Sequence, residues 1–75
     1  MMLLKTERQR RGWSQAELAR RAQMNPTTVS LIESRRLEPY PKQLEKLADA
    51  LGLPPEEAGH LMDEQKQWEP ERTEG

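Results

Sequence analysis

Residues Ser14 to Glu33 constrain the fold more than any other part of this 75-residue chain, because they contain two helix starts in close succession. Ser14 is followed three residues later by Glu17, the spacing of a capping box in which each side chain satisfies a backbone N–H at the other's position. Asn25 then precedes Pro26, which joins a good N-cap residue to a proline whose missing N–H costs nothing at the first helical position. The stretch therefore predicts two short helices joined by a turn of about three residues.

Each of these two predicted helices has one apolar face. Leu18, Ala19 and Ala22 recur at helical spacing in the first helix, and Val29 and Ile32 do so in the second, so we expect these side chains to be buried. The outer side of the second helix carries short, mostly polar residues: Thr27, Ser30, Leu31 and Ser34. A helix of this kind, braced by another across a short turn, has the shape that lies in the major groove of DNA.

Three further helices are predicted around this pair. A strongly helix-forming run from Leu3 to Arg11 ends at Gly12, and Pro41 opens another helix that Gly52 ends. The dipeptide Pro54-Pro55, followed by two acids, begins a fifth helix. One side of that helix is expected to consist of Ala58, Leu61, Met62, Gln65 and Trp68. The chain is thus predicted to be all-α, a compact bundle of about five short helices.

The length and composition leave room for one domain, residues 1–68, followed by a polar segment, residues 69–75, that is expected to be disordered. Without cysteine, and with His60 as its single histidine, the chain offers neither a disulfide framework nor a zinc site. We therefore expect no metal and no cofactor, and His60 is interpreted as a surface residue. Catalysis is the least expected function, since no set of nucleophile, acid and base can be assembled from these residues.

The net charge of −1 hides an uneven distribution. Residues 1–48 hold ten Lys and Arg against five Glu, whereas residues 49–75 hold two against eight acids. Because charges are screened over about 8 Å at physiological salt, phosphates on the basic half would feel the acidic half only weakly. The charge is therefore compatible with nucleic-acid binding. No apolar run is long enough to cross a bilayer and no signal-peptide pattern is present, so a cytoplasmic location is expected.

Several short motifs together resemble one known family. They are the run Ser14 to Ala19, Arg8 before Gly12, the pair Ile32-Glu33, and the run Leu44 to Gly52. On these residues, and over roughly positions 4 to 61, the chain is similar to the phage-repressor and Cro type of helix-turn-helix domain, the xenobiotic-response-element-like regulators of bacteria. The resemblance implies a lambda-repressor-like fold and binding to double-stranded DNA.

The sequence departs from the family pattern at two places. Relatives often have a glycine shortly after the glutamate that ends the second helix of the motif, where Ser34-Arg35-Arg36 stands here. Leu31 and Pro26 also occupy positions where relatives frequently carry side chains that reach a base edge.

The resemblance assigns candidate roles to the basic half of the chain. Base contacts are expected from Thr27, Ser30, Leu31 and Ser34, whose hydroxyl and methyl groups suit base edges. Phosphate contacts are expected from Gln15, Thr28, Arg35, Arg36, Tyr40 and Lys42. Arg8 and Glu33 are expected to form a salt bridge that braces the turn and that can also face a phosphate. Trp13 is interpreted as a cap on the core between the first two helices.

The functional hypothesis is a repressor that binds an inverted-repeat operator as a homodimer. Leu61, Met62, Gln65 and Trp68 are interpreted either as the centre of the dimer interface, which we favour, or as a last strip of core. One alternative is an autorepressing antitoxin whose acidic segment after Leu51 docks a basic toxin. Another is a protein-interaction adaptor with no contact to DNA.

Overall fold

The computed structural model describes residues 1–64 and contains four α-helices followed by a short 3₁₀ helix. The α-helices are α1 (Leu3–Arg10), α2 (Gln15–Ala22), α3 (Pro26–Glu33) and α4 (Pro41–Ala50), and the 3₁₀ helix is Pro55–His60. α2 packs against both α3 and α4, and the 3₁₀ helix packs against α4. The predicted all-α fold is confirmed. The expected domain boundary at residue 68 and the expected disordered segment 69–75 lie outside the described residues.

α2 and α3 begin at the residues that their caps predict. The Ser14 hydroxyl accepts the backbone N–H of Glu17 at 3.0 Å, and the Asn25 side chain accepts the backbone N–H of Thr27 at 2.8 Å. In place of the reciprocal capping-box bond to the Ser14 N–H, the Glu17 carboxylate pairs with two arginines further along α2. Side-chain caps thus fix the start of both helices of the motif.

All four α-helices end in the same kind of turn, a Schellman motif. The N–H of Met24 donates to the carbonyl of Ala19 at 2.8 Å, and the N–H of Arg36 donates to the carbonyl of Leu31 at 2.9 Å, with equivalent bonds after α1 and α4. The residues in left-handed conformation are Gly12, Gln23, Arg35 and Gly52. Gly12 and Gly52 were predicted to end their helices. Gln23 and Arg35 hold a positive φ although they carry side chains.

The core lies where the predicted apolar faces meet. Its largest fully buried side chains are Leu4, Leu18, Val29, Ile32, Leu47 and Leu61. Trp13 is half-buried and packs against this core, as predicted, with the Arg21 guanidinium 4.2 Å from the ring centroid. Within residues 1–64 no helix combines the length and the apolar character needed to cross a membrane.

The prediction of a fifth α-helix reaching Trp68 is wrong for the described residues, since the helix is 3₁₀ in type and ends at His60. Side chains three apart eclipse in a 3₁₀ helix, which directs Ala58 and Leu61 into the core together. The chain then turns to meet α1. The carbonyls of Leu61 and Asp63 accept the backbone N–H groups of Leu4 and Leu3 at 2.8 and 3.0 Å.

We call residues 61–64 the closing segment. It satisfies two N–H groups at the start of α1, where the N-cap residue Met2 provides no side-chain hydrogen bond. Met2 and Glu64 also form an isolated antiparallel bridge. Leu61 is fully buried in this arrangement, so the interpretation of Leu61 as a dimer-interface residue is wrong and the core alternative holds for it.

Candidate nucleic-acid interface

α3 presents one polar and one apolar side. Val29 and Ile32 are fully buried, whereas Thr27 and Ser30 are exposed on the outer side. Their spacing places Thr27 and Ser30 on one edge of the helix, since residues three apart are neighbours on a helical surface. The predicted orientation of α3 is confirmed, and its outer edge is open in the described part of the chain.

Of three further candidates on or beside α3, one is exposed and two are half-buried. Ser34 is exposed, and its hydroxyl donates to the Leu31 carbonyl at 3.1 Å, which leaves its oxygen as an acceptor. Leu31 is half-buried and Thr28 is half-buried. The structure therefore groups Thr27, Ser30 and Ser34 as the accessible polar side chains of α3.

A buried ion pair fixes the end of α3 against α1, as predicted. The Arg8 guanidinium donates to both carboxylate oxygens of Glu33, from Nε at 2.7 Å and from Nη2 at 2.9 Å. Its Nη1 donates to the Trp13 carbonyl at 2.8 Å. This fork geometry uses Arg8 on three acceptors and locks the two helices in one relative position.

Gln15 joins the same network at the first residue of α2. Its Nε2 donates to Oε1 of Glu33 at 3.0 Å, and the side chain is half-buried. A carboxylate accepts only, so the contact fixes the amide group with its NH₂ toward Glu33. The structure thereby holds a predicted phosphate ligand in one orientation, through contacts that connect α1, α2 and α3.

The loop after α3 and the start of α4 carry exposed cationic and aromatic groups. Arg36, Tyr40 and Lys42 are exposed, Tyr40 to 70%. The Tyr40 backbone N–H donates to the Gln43 side chain at 2.8 Å, while the N–H groups of Lys42 and Gln43 lie in the first helical turn, where no intrahelical acceptor exists. A helix start flanked by cations suits an anion such as a phosphate.

Most arginines of the basic half are already paired with carboxylates. Among residues 1–64, ion pairs occupy Arg8, Arg10, Arg11, Arg20, Arg21 and Arg35. The cations with no ion pair in this part of the chain are Lys5, Arg36, Lys42 and Lys46. Two of them flank the loop between α3 and α4, and this is where cationic charge remains available to a ligand.

Arg35, a predicted phosphate ligand, is held by the closing segment. Its Nη2 donates to the Met62 carbonyl at 2.9 Å and to Oε1 of Glu64 at 3.0 Å. The hydrogen bond from the N-terminal amine, with Arg35 adding to it, keeps the pKa of Glu64 below its ordinary value. The guanidinium therefore meets an ionised carboxylate at neutral pH.

The other groups with displaced pKa values among residues 1–64 lie on α1, α2 and the 3₁₀ helix. A hydrogen bond from Arg11 lowers the pKa of Glu7, and one from Arg20 lowers the pKa of Glu17. The hydrogen bond with Asp63 raises the pKa of His60, which is exposed as predicted. Residues 1–64 contain no group of three His, Asp or Glu side chains that could hold a metal ion.

Comparison with protein-family models gives a match described as "Helix-turn-helix domain" over residues 2–61, which is most of the chain. The chain belongs to the helix-turn-helix domain family. Its Cro-like character, inferred from the sequence motifs, is supported by this match. In the helix-turn-helix domain the motif consists of α2, the turn 23–25 and α3.

One curated relative of the helix-turn-helix domain is named "Neisseria hypothetical transcription factor" and comes from Neisseria meningitidis serogroup B, strain ATCC BAA-335 / MC58. It is 42% identical over an alignment of 59 positions that covers 69% of this chain and 56% of the relative. The chain thus spans about half the length of this relative. No solved structure matches the chain significantly.

The structure places the sequence-predicted residues in different surroundings. It brings Gln15, Arg8 and Glu33 together, and it leaves Thr27 and Ser30 exposed on the open edge of α3. It diverts Arg35 to the closing segment. Of the interface candidates, Leu61 is core and Met62 is half-buried against the core, while Gln65 and Trp68 lie outside the described residues.

Sequence reasoning missed two contributors to this surface. Gln23 adopts the left-handed conformation in the turn of the motif, and no glycine marked the position. Glu64 lies far from Arg35 in sequence, so no local spacing could have linked them.

Proposed function

We propose that this helix-turn-helix domain binds double-stranded DNA through α3 and regulates transcription. The observation that carries the proposal is the division of α3 into a buried apolar side, Val29 and Ile32, and an open edge with Thr27 and Ser30. Short hydroxyl side chains on an accessible helix can donate to or accept from base edges in a major groove. The name of the Neisseria relative supports the same assignment.

Phosphate contacts are proposed around this helix. Gln15 is held at the start of α2 by Glu33, Tyr40 and Lys42 lie at the start of α4, and Arg36 lies in the loop before it. These groups lie on both sides of α3 along the chain. Contacts of this type position a recognition helix on the duplex, and the side chains of α3 then determine the sequence that is bound.

The finer proposal is a repressor that acts by occupying its operator as a homodimer. Two copies related by a two-fold axis would place their α3 helices about 34 Å apart and would bind an inverted repeat. With Leu61 assigned to the core, Met62 is the described apolar candidate for the contact between copies, and Gln65 and Trp68 remain proposals. A protein partner for the acidic residues after Leu51 is the alternative occupant of that region.

Salt-dependent DNA binding tests the proposal. Lys42→Gln should reduce the salt slope of log K by about 0.9, the amount expected for one lost phosphate contact, and should weaken binding to all sequences alike. Lys46→Gln is the matched control, because it removes the same charge one turn further along α4. Equal effects of the two changes would contradict the assignment of Lys42.

Selection from random duplexes tests the base contacts. Ser30→Ala should change the preferred sequence at one position of each half-site without changing the salt slope. The spacing of the selected half-sites reports whether two copies bind together. If the wild-type domain has no salt-sensitive DNA affinity, the proposal fails and the adaptor hypothesis is favoured instead.

A further inference from the structure

The side chain of Arg35 is bound to a segment distant in sequence, although the residue lies in the turn that closes α3. Its guanidinium bonds to the Met62 carbonyl and to the Glu64 carboxylate, at 2.9 and 3.0 Å. Its immediate neighbour Arg36 is exposed and has no ion pair among residues 1–64. Two adjacent arginines at the end of α3 are therefore in different states, one bound by the protein and one available.

The acceptors of Arg35 are held in place independently of Arg35. Backbone bonds from Leu3 and Leu4 to the closing segment fix residues 61–63, and Met2 bridges to Glu64. The Glu64 carboxylate also contacts the N-terminal amine of Met1. The carboxylate consequently stays close to the end of α3 whether or not the guanidinium is bound to it.

The Arg35–Glu64 pair is exposed enough for another anion to replace Glu64 on the guanidinium. The side chains of Arg35 and Glu64 retain 47% and 65% of their accessible surface. Ion pairs at this exposure contribute little to stability and are screened by salt. A DNA phosphate near the end of α3 would thus compete with Glu64 for the same guanidinium.

A glycine would close α3 equally well, since the left-handed conformation at this position favours a residue without a side chain. The arginine therefore adds strain to the backbone and contributes only through its side chain. That side chain can supply one further phosphate contact beside Arg36, provided that it leaves the closing segment.

We propose that Glu64 is an intramolecular competitor of DNA phosphate, which restrains Arg35 in the free protein and weakens DNA binding until the Arg35–Glu64 contact opens. The proposal rests on the proposed function. Any partner that binds the Glu64 carboxylate in place of Arg35 would then strengthen DNA binding through Arg35.

Three variants test this competition by fluorescence anisotropy with a short mixed-sequence duplex. Glu64→Gln removes the competing charge, and Glu56→Gln is its matched control, an exposed acid on the 3₁₀ helix with no ion pair among residues 1–64. The double variant Arg35→Gln/Glu64→Gln removes the cation as well. All of the changed side chains are exposed, so far-UV circular dichroism should show the same helix content in each variant.

Glu64→Gln should bind more tightly than Glu56→Gln and should gain one phosphate contact. Because log K falls by about 0.9 per decade of salt for each contact, the ratio of affinities at about 50 and about 200 mM salt should increase about 3.5-fold. The double variant should show no such increase. Equal behaviour of Glu64→Gln and Glu56→Gln, or an increase that persists without Arg35, would overturn the competition while leaving the DNA-binding proposal intact. Absence of salt-dependent binding by the wild type would overturn both.

Discussion

Replacing Glu33 by glutamine should destabilise the domain far more than the same change at Glu17, although Glu33 pairs with one arginine and Glu17 with two. The Glu33 side chain is 1% exposed and receives two hydrogen bonds from Arg8, whereas the Glu17 side chain is 29% exposed. Removing one partner of a buried pair costs about 3–5 kcal/mol, because the other charge is left without compensation. Exposed pairs contribute about 0–1 kcal/mol.

The free energy lost on removing the Glu33 charge is large relative to the free energy of unfolding of a chain this size. Domains have free energies of unfolding of about 0.05–0.15 kcal/mol per residue, which is about 4–11 kcal/mol for a domain of this length. Glutamine keeps the volume of Glu33 but cannot neutralise Arg8. In urea, where small proteins lose about 1 kcal/mol per molar denaturant, the midpoint for Glu33→Gln should fall by about 3 M or more. The midpoint for Glu17→Gln should fall by less than about 1 M.

A double variant separates charge burial from other effects of the change. Arg8→Met/Glu33→Leu removes both charges and fills the space with apolar groups, so most of the lost stability should return. The midpoints follow from circular dichroism of the helix signal. Similar midpoints for Glu33→Gln and Glu17→Gln, or a double variant no more stable than Glu33→Gln, would refute the assignment of this cost to a buried, uncompensated arginine.

Three further tests, with five substitutions, address the fold and its charges. Gln23→Gly should raise the free energy of unfolding by about 0.5–1 kcal/mol, and Gly12→Gln should lower it by about 1–2 kcal/mol, because both residues hold a positive φ. A Cβ at Gly12 meets nothing within 4 Å, so the cost there comes from the backbone alone. Thermal unfolding that shows the same sign for both changes would contradict this. Leu61→Ala should cost about 2–5 kcal/mol as a core truncation, whereas Met62→Ala should cost less than about 1.5 kcal/mol, and equal unfolding midpoints in urea would place Leu61 outside the core. Glu7→Gln should reduce the loss of stability in acid. The pKa of Glu7 is lowered in the folded state, so its carboxylate stabilises the fold above the unfolded pKa of 4.5, and this contribution is lost as the pH falls through the folded pKa. The urea midpoints of wild type and variant should therefore differ near neutral pH and converge in acid.

The sequence predicts the recognition elements well because their determinants are local. Ser14 and Asn25 cap helices whose N–H groups lie two or three residues away, and the apolar spacing of Val29 and Ile32 fixes which side of α3 is buried. The open edge with Thr27 follows from that orientation.

The contact between Arg8 and Glu33 was expected only because the chain resembles a family with that pair, and spacing alone would not have revealed it. The two residues lie 25 positions apart on different helices. Gln15, expected to bind phosphate, proved also to belong to this network, since its amide reaches Glu33 only after α2 has packed beside α3.

The sequence by itself determined where the helices begin, which faces are apolar and how the charge divides, since these depend on neighbours along the chain. The tertiary structure decided that the last helix is a 3₁₀ turn ending at His60, that Leu61 completes the core, and that Arg35 is bound by Glu64. Each of these outcomes depends on hydrogen bonds and packing between segments that meet only when the chain has folded, because the carbonyls of the closing segment complete the start of α1 and thereby bring a carboxylate to the end of α3.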